Sequence, residues 1–174
     1  VYLIKKKRAA HSTLRLHFFA VKFLFTRTLK RPWPTLKILR ARPQLKLPVV
    51  LDPKEVRRIL AVKRSPVARM CATLMYSCGL RISEALRLKV ADIDSQRMVV
   101  IVRGGKGNKD RHVPLPGRTL ELLRAYWQKY RPKTWLFTRR DGRPLAEHSV
   151  RYFLKKACGD CGIDKRVTCH TLRH

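Results

Sequence analysis

The stretch VVIVRGGKGNKDRHVPLP, Val99 to Pro116, reads as two short strands joined by a glycine-rich turn with Lys106 and Lys109 at its tip. Its first arm is β-branched and apolar, and the turn holds Gly104, Gly105, Gly107 and Asn108. The second arm stops at Pro114 and Pro116, which cannot extend a central strand. Lysines on such a tip face solvent or a ligand. Which of the two applies depends on what the rest of the chain brings to them.

Upstream, Asp52-Pro53-Lys54-Glu55 combines an N-cap residue, a proline at the first helical position and an acid at the third, a helix start, with Val56, Ile59 and Leu60 as the apolar stripe. Ser65-Pro66 repeats the device, and Val67, Met70, Cys71, Leu74 and Cys78 continue at helical spacing until Gly79 supplies a stop. Leu80 to Val90 reads as a short helix with Ile82, Ala85 and Leu86 on its apolar side and Arg81 and Glu84 one turn apart on another. Ala91 to Gln96, with Asp92, Asp94 and Ser95, is a turn into the hairpin. Downstream, Leu120, Leu123, Trp127 and Tyr130 predict one amphipathic helix, and Val150, Phe153, Leu154, Ala157 and Cys161, ended by Gly162, predict another. Thr168 then stands where it can cap a new turn of helix, placing His170 and Arg173 on the same side. The fold class expected is α+β, mainly helical, with a small antiparallel sheet.

Charge narrows the partner. Lys and Arg number 41 against 11 acids, a formal charge of +30, and the 174 residues suffice for one substantial domain and part of a second. A polyanion is implied, and nucleic acid can use this much charge along an extended track. A membrane is the rival, but Leu16 to Leu29 is interrupted by His17, Lys22 and Arg27 and is too short to span. Export is not expected either, since Arg15 and Lys22 break the apolar run after the basic stretch Lys5 to Arg8 and no small-residue cleavage site follows; the location expected is cytoplasmic.

Five cysteines without a secretion signal indicate reduced thiols. Cys158, Cys161, Cys169, His170 and His174 contain enough sulfur and nitrogen for zinc, although the spacing is irregular. Packing inside a helix competes for Cys158 and Cys161. No metal is expected.

Taken together, GLRISEALRLKVADID at Gly79 to Asp94, GGKGNKDRHVPLP at Gly104 to Pro116 and HTLRH at His170 to His174 resemble the catalytic domain of the tyrosine recombinase (phage integrase) family, which includes transposon integrases. The resemblance runs from about Leu51 to the end. It implies attack on a DNA phosphodiester by a tyrosine, a 3′-phosphotyrosyl intermediate, and no metal or nucleotide cofactor. By the same resemblance Arg81 and Arg173 hydrogen-bond the non-bridging phosphate oxygens, Lys106 gives a proton to the departing 5′ oxygen, His170 assists proton transfer at the nucleophile, and Glu84 supports the arginine. Lys109 and Arg111 are further expected DNA contacts. The family's tyrosine stands downstream of its His-x-x-Arg pair, whereas Tyr2, Tyr76, Tyr126, Tyr130 and Tyr152 all lie upstream of His170. The chain is therefore expected to be a fragment, inactive alone, with double-stranded DNA as partner and with homo-oligomer formation on DNA belonging to the full-length family.

Ahead of this domain, Val1 to Leu51 carries 13 Lys or Arg and no acid, with Leu14, Phe18, Val21, Phe25 and Leu29 at helical spacing. Residues 1–30 are expected to be the end of a helical core-binding domain, 31–50 a proline-rich basic linker whose Lys37, Arg40, Arg42 and Lys46 contact DNA, and 51–174 the catalytic domain. Two other readings stay open: a non-catalytic DNA-binding or regulatory protein on the same scaffold, and a zinc-dependent nucleic-acid module.

Overall fold

The computed structural model describes residues 11–33, 49–105 and 109–173. Lys106, Lys37, Arg40, Arg42, Lys46 and His174 lie outside them. The chain forms two compact units, Val1–Leu47 and Pro48–His174. In the first, α1 (His11–Phe23) continues into a π-helical turn, Leu24–Thr28. Leu14, Phe18 and Phe25 are half-buried, and Trp33 meets Phe18 and Phe25 edge-on at centroid distances of 5.4 and 5.8 Å. Val21 and Leu29, placed on the same stripe by α-helical spacing, are exposed. The wider turn, closed by the Leu29 N–H on the Leu24 carbonyl, shifts Leu29 out of phase.

The second unit opens with α2 (Pro53–Ala61), capped as its sequence dictates: Asp52 Oδ1 accepts the Lys54 N–H at 2.7 Å and Glu55 Oε2 accepts the Asp52 N–H at 2.8 Å. Next comes α3 (Pro66–Cys78), where Ser65 does not act as its spacing predicts. Its backbone is left-handed, φ 39°, and its hydroxyl makes no cap hydrogen bond, because a cap needs the extended geometry that aims the oxygen at the first free N–H groups. The proline at the first position remains. Ala68, Met70, Cys71, Ala72, Leu74, Met75 and Cys78 are all buried, so this helix is covered on more than one side. Around it pack α2, α4 (Ile82–Leu86), α5 (Gly117–Tyr130), α6 (Glu147–Asp160) and a 3-10 turn, Thr171–Arg173.

Between α4 and α5 lies a three-stranded antiparallel sheet of β1 (Ile93–Asp94), β2 (Val99–Val102) and β3 (Arg111–Pro114), in that order. Val100 pairs with Val113 and Val102 with Arg111, and Val100 and Val102 are buried while their neighbours are not. The expected hairpin is thus present, and the segment whose sequence reads as a plain turn adds a third strand. Asp94 Oδ1 accepts the N–H groups of Gln96 and Arg97, which reverses the chain tightly enough to pair Ile93 with Val100.

Two helical stripes differ in phase from the spacing. On α5 the buried aromatic is Tyr126, whose hydroxyl donates to the Leu136 carbonyl at 3.1 Å. Trp127 and Tyr130 are exposed instead, and Arg131 lies 4.2 Å over the Trp127 ring. On α6 Cys158 is buried and Cys161 half-buried, and the left-handed Gly162 follows the helix end. No helix among the described residues is long and apolar enough to cross a membrane.

Candidate functional site

The site begins at the end of α3. Gly79 adopts φ +59°, its N–H and that of Leu80 both donate to the Met75 carbonyl, and Leu80 is fully buried. That turn delivers Arg81 in extended backbone as the residue before α4. Glu84, one turn on, accepts the Arg81 N–H on Oε2 at 2.8 Å and the Arg81 guanidinium on Oε1 at 2.9 Å. From β3 the Arg111 guanidinium grips the same carboxylate with both prongs, Nη1 to Oε1 at 2.9 Å and Nη2 to Oε2 at 2.7 Å. Four hydrogen bonds therefore converge on a carboxylate that is only 8% exposed.

The Arg111 hydrogen bonds, with those from the Arg81 backbone and side chain, outweigh desolvation and hold the Glu84 carboxyl down at about 2, against 4.5 for a free glutamate. A depressed acid stabilises the fold above its unfolded pKa, and that contribution disappears as the pH falls through 4.5 toward the folded value. Its size is on the order of 3 kcal/mol. Thermal melts of wild type and E84Q are expected to differ most above about pH 5 and to converge toward about pH 2; a gap that stays constant contradicts the linkage. Glu55, also lowered by Lys165 and the Asp52 backbone, titrates in both proteins and cancels.

Arg81, Ser83, Glu84 and Arg87 form one wall of a cavity of about 250 Å³, and Arg103, Gly104 and Gly105 at the hairpin mouth form the other. Arg103 donates to Asp92 at 2.9 Å, and Asp92, 3% exposed, also accepts the Lys89 N–H. The pairing pushes the Arg103 pKa up. Gly104, at φ +57°, donates its N–H to Asp110 Oδ1, and the Gly105 N–H donates to the Lys109 carbonyl at 3.0 Å. With Arg111 behind Glu84, four guanidinium groups thus stand with the three carboxylates of Glu84, Asp92 and Asp110. The excess of positive charge suits a phosphate, and the arginine fork matches its oxygens.

The structure joins Arg81 and Glu84 as their spacing predicts. His170 and Arg173 do not line this cavity. They belong to the C-terminal turn, where Thr168 and Thr171 cap each other: each hydroxyl accepts the other's N–H, at 3.1 and 3.3 Å. His170 is exposed and Arg173 half-buried, and Thr171–Arg173 packs on α3, the helix that leads to Arg81. Lys109, beyond the hairpin tip, is exposed. Arg111, which the sequence suggests as a DNA contact, has its fork on Glu84. Sequence reasoning does not single out Arg87 and Arg103, although six residues from Arg81 and two before Gly105 on the hairpin are positions that could point to them. Among the described residues no tyrosine lines the cavity, and burial pushes the Tyr126 phenol up.

Among the described residues no group of three or more His, Cys, Asp and Glu stands where it could hold a metal ion. Burial raises the pKa of the Cys71, Cys158 and Cys169 thiols, which makes them core groups rather than ready thiolates.

Residues 49–174 match the phage integrase family. A Sinorhizobium fredii protein bearing the integrase/recombinase name is 42% identical over all of this chain and 70% of its own length. Tyrosine recombinase XerA of Thermococcus onnurineus is 42% identical over 74% of this chain and 47% of its own length. Among solved structures, a XerA recombinase superposes with a TM-score of 0.66 at 28% identity, covering 99% of this chain and 63% of that one. The fold is shared by a variant of the Tn1549 transposon integrase in complex with a circular intermediate DNA, at TM-score 0.81 and 16% identity over 98% of this chain and 67% of that one. With the family matching nearly all of the unit that carries Arg81, the hairpin and the His-x-x-Arg turn, this chain belongs to the phage integrase family, the tyrosine recombinases.

Proposed function

We propose that residues 51–174 are the catalytic domain of a site-specific tyrosine recombinase and that these 174 residues bind double-stranded DNA by its phosphates. The observation that supports this most is the Arg81 pocket: a guanidinium pinned by Glu84 beside two further arginines, in a recess of about 250 Å³. Residues 1–30 are read as the end of a core-binding domain and 31–50 as a basic linker that follows the duplex. Arg81 and Arg173 hold the non-bridging oxygens of the scissile phosphate and stabilise the charge that grows there as a fifth oxygen approaches phosphorus. Glu84 fixes the direction of Arg81 and remains ionised throughout. Lys106 protonates the departing 5′ oxygen, and His170 assists proton transfer at the nucleophile. None of the chain's five tyrosines matches the family's nucleophile position, so the role proposed for these residues is to bind and polarise the phosphodiester. A cytoplasmic location and assembly of several copies on DNA, as expected of the whole family, complete the reading.

Binding of a fluorescent duplex by wild type and by the R81A/R173A double variant tests it. Loss of both charge-assisted contacts to that one phosphate is expected to weaken binding by about a hundredfold and to reduce the slope of log K against log salt by about one. Equal affinity and equal slope would sink the assignment.

A further inference from the structure

We infer that Arg111 is a positioning residue of the phosphate pocket, bracing Glu84 from the neighbouring strand and offsetting its charge so that Arg81 stays available to DNA. This role rests on the reading of the pocket as a DNA phosphate site. A carboxylate 2.9 Å from the Arg81 guanidinium holds it in place, but the same carboxylate also neutralises it, and a neutralised arginine is a poor phosphate ligand. The second guanidinium resolves the conflict. Glu84 is shared between two cations, so the cluster keeps one positive charge, and the bidentate bonds of Arg111 draw the carboxylate toward β3.

Three features show that the brace is built in. Arg111 is the first residue of β3, paired with Val102 at the turn end of the hairpin, and its side chain reaches Glu84 on α4. Both of its Nη atoms are engaged with Glu84, and its side chain is 35% exposed, less than the 41% of Arg81. Gly105 leaves it room: a Cβ there would stand 2.9 Å from Arg111 Nη1. A surface arginine that reaches for DNA needs none of this.

A double-mutant cycle separates a brace from a contact. Binding of an arbitrary-sequence fluorescent duplex is measured at fixed salt for wild type, R111Q, E84Q and E84Q/R111Q, with thermal melts to report folding. Phosphate contacts carry no sequence information, so the unknown target is no obstacle. With Glu84 present, R111Q is expected to lose about tenfold in affinity, because the carboxylate is then left to Arg81 alone. With Glu84 neutral there is no charge to offset, and E84Q/R111Q is expected to bind within about twofold of E84Q. A tenfold loss in both backgrounds would make Arg111 a direct DNA contact and overturn the inference. Should R111Q fail to fold, the pair E84Q and E84Q/R111Q, in which no charge is stranded, still decides between the two outcomes. R81A in the same assay guards the premise: undiminished binding by R81A would overturn the pocket itself, and with it this role for Arg111.

Discussion

Raising salt from about 50 to about 200 mM is expected to weaken binding of this chain to duplex DNA by about 10³–10⁵-fold. The reason lies in the charge. With 41 Lys and Arg against 11 acids, few cations can find an internal partner, and the ion pairs among the described residues use most of the carboxylates. Every unpaired cation that meets a phosphate releases a condensed counterion, and each release adds about 0.9 to the slope of log K against log salt. An affinity that falls by less than about tenfold over that range would mean that fewer than about two phosphates are engaged. The high charge would then need another explanation. A titration by fluorescence anisotropy on a short duplex decides the matter.

Leu74→Ala is expected to remove about 3–5 kcal/mol of stability and to lower the melting temperature by about 10 °C or more. Leu74 is fully buried on α3, the helix against which α2, α4, α5, α6 and the C-terminal turn all pack. Truncation there leaves a cavity that no single neighbour can collapse into. The consequence reaches the site, because α3 leads through Gly79 into Arg81 and supports the turn that carries Arg173. DNA affinity at a temperature where the variant is partly unfolded is expected to fall in proportion to the folded fraction. A melting temperature within a few degrees of wild type would show that the core is centred elsewhere.

Features that depend on near neighbours in the chain are legible in the sequence itself. The box at Asp52 to Glu55, the stop at Gly79, the hairpin arms and the Arg81–Glu84 pair each need only a few residues, and each is present. Phase is harder to read. Spacing alone places Trp127 and Tyr130 inward on α5, but a helix turns 100° per residue and Tyr126 satisfies the same stripe while reaching the Leu136 carbonyl. Ser65 shows a different limit: serine before proline is a cap only when its backbone is extended, and φ belongs to the loop rather than to the residue. The Arg111–Glu84 fork is invisible to local spacing. Its partners are 27 positions apart, and only the register of β3 against β2 brings them together. For the candidate site this means that short motifs supply the proposed phosphate ligands, while the electrostatic support behind them requires the fold.

The central claim is that Arg81 and Arg173 share one phosphate of bound DNA, although they hang from separate turns at the edge of α3. A structure of this chain bound to duplex DNA tests it most directly. The result expected is a backbone phosphate with non-bridging oxygens within about 3 Å of both guanidinium groups, and the Arg111 fork still on Glu84. A duplex lying across another face, with no phosphate near Arg81, would contradict it.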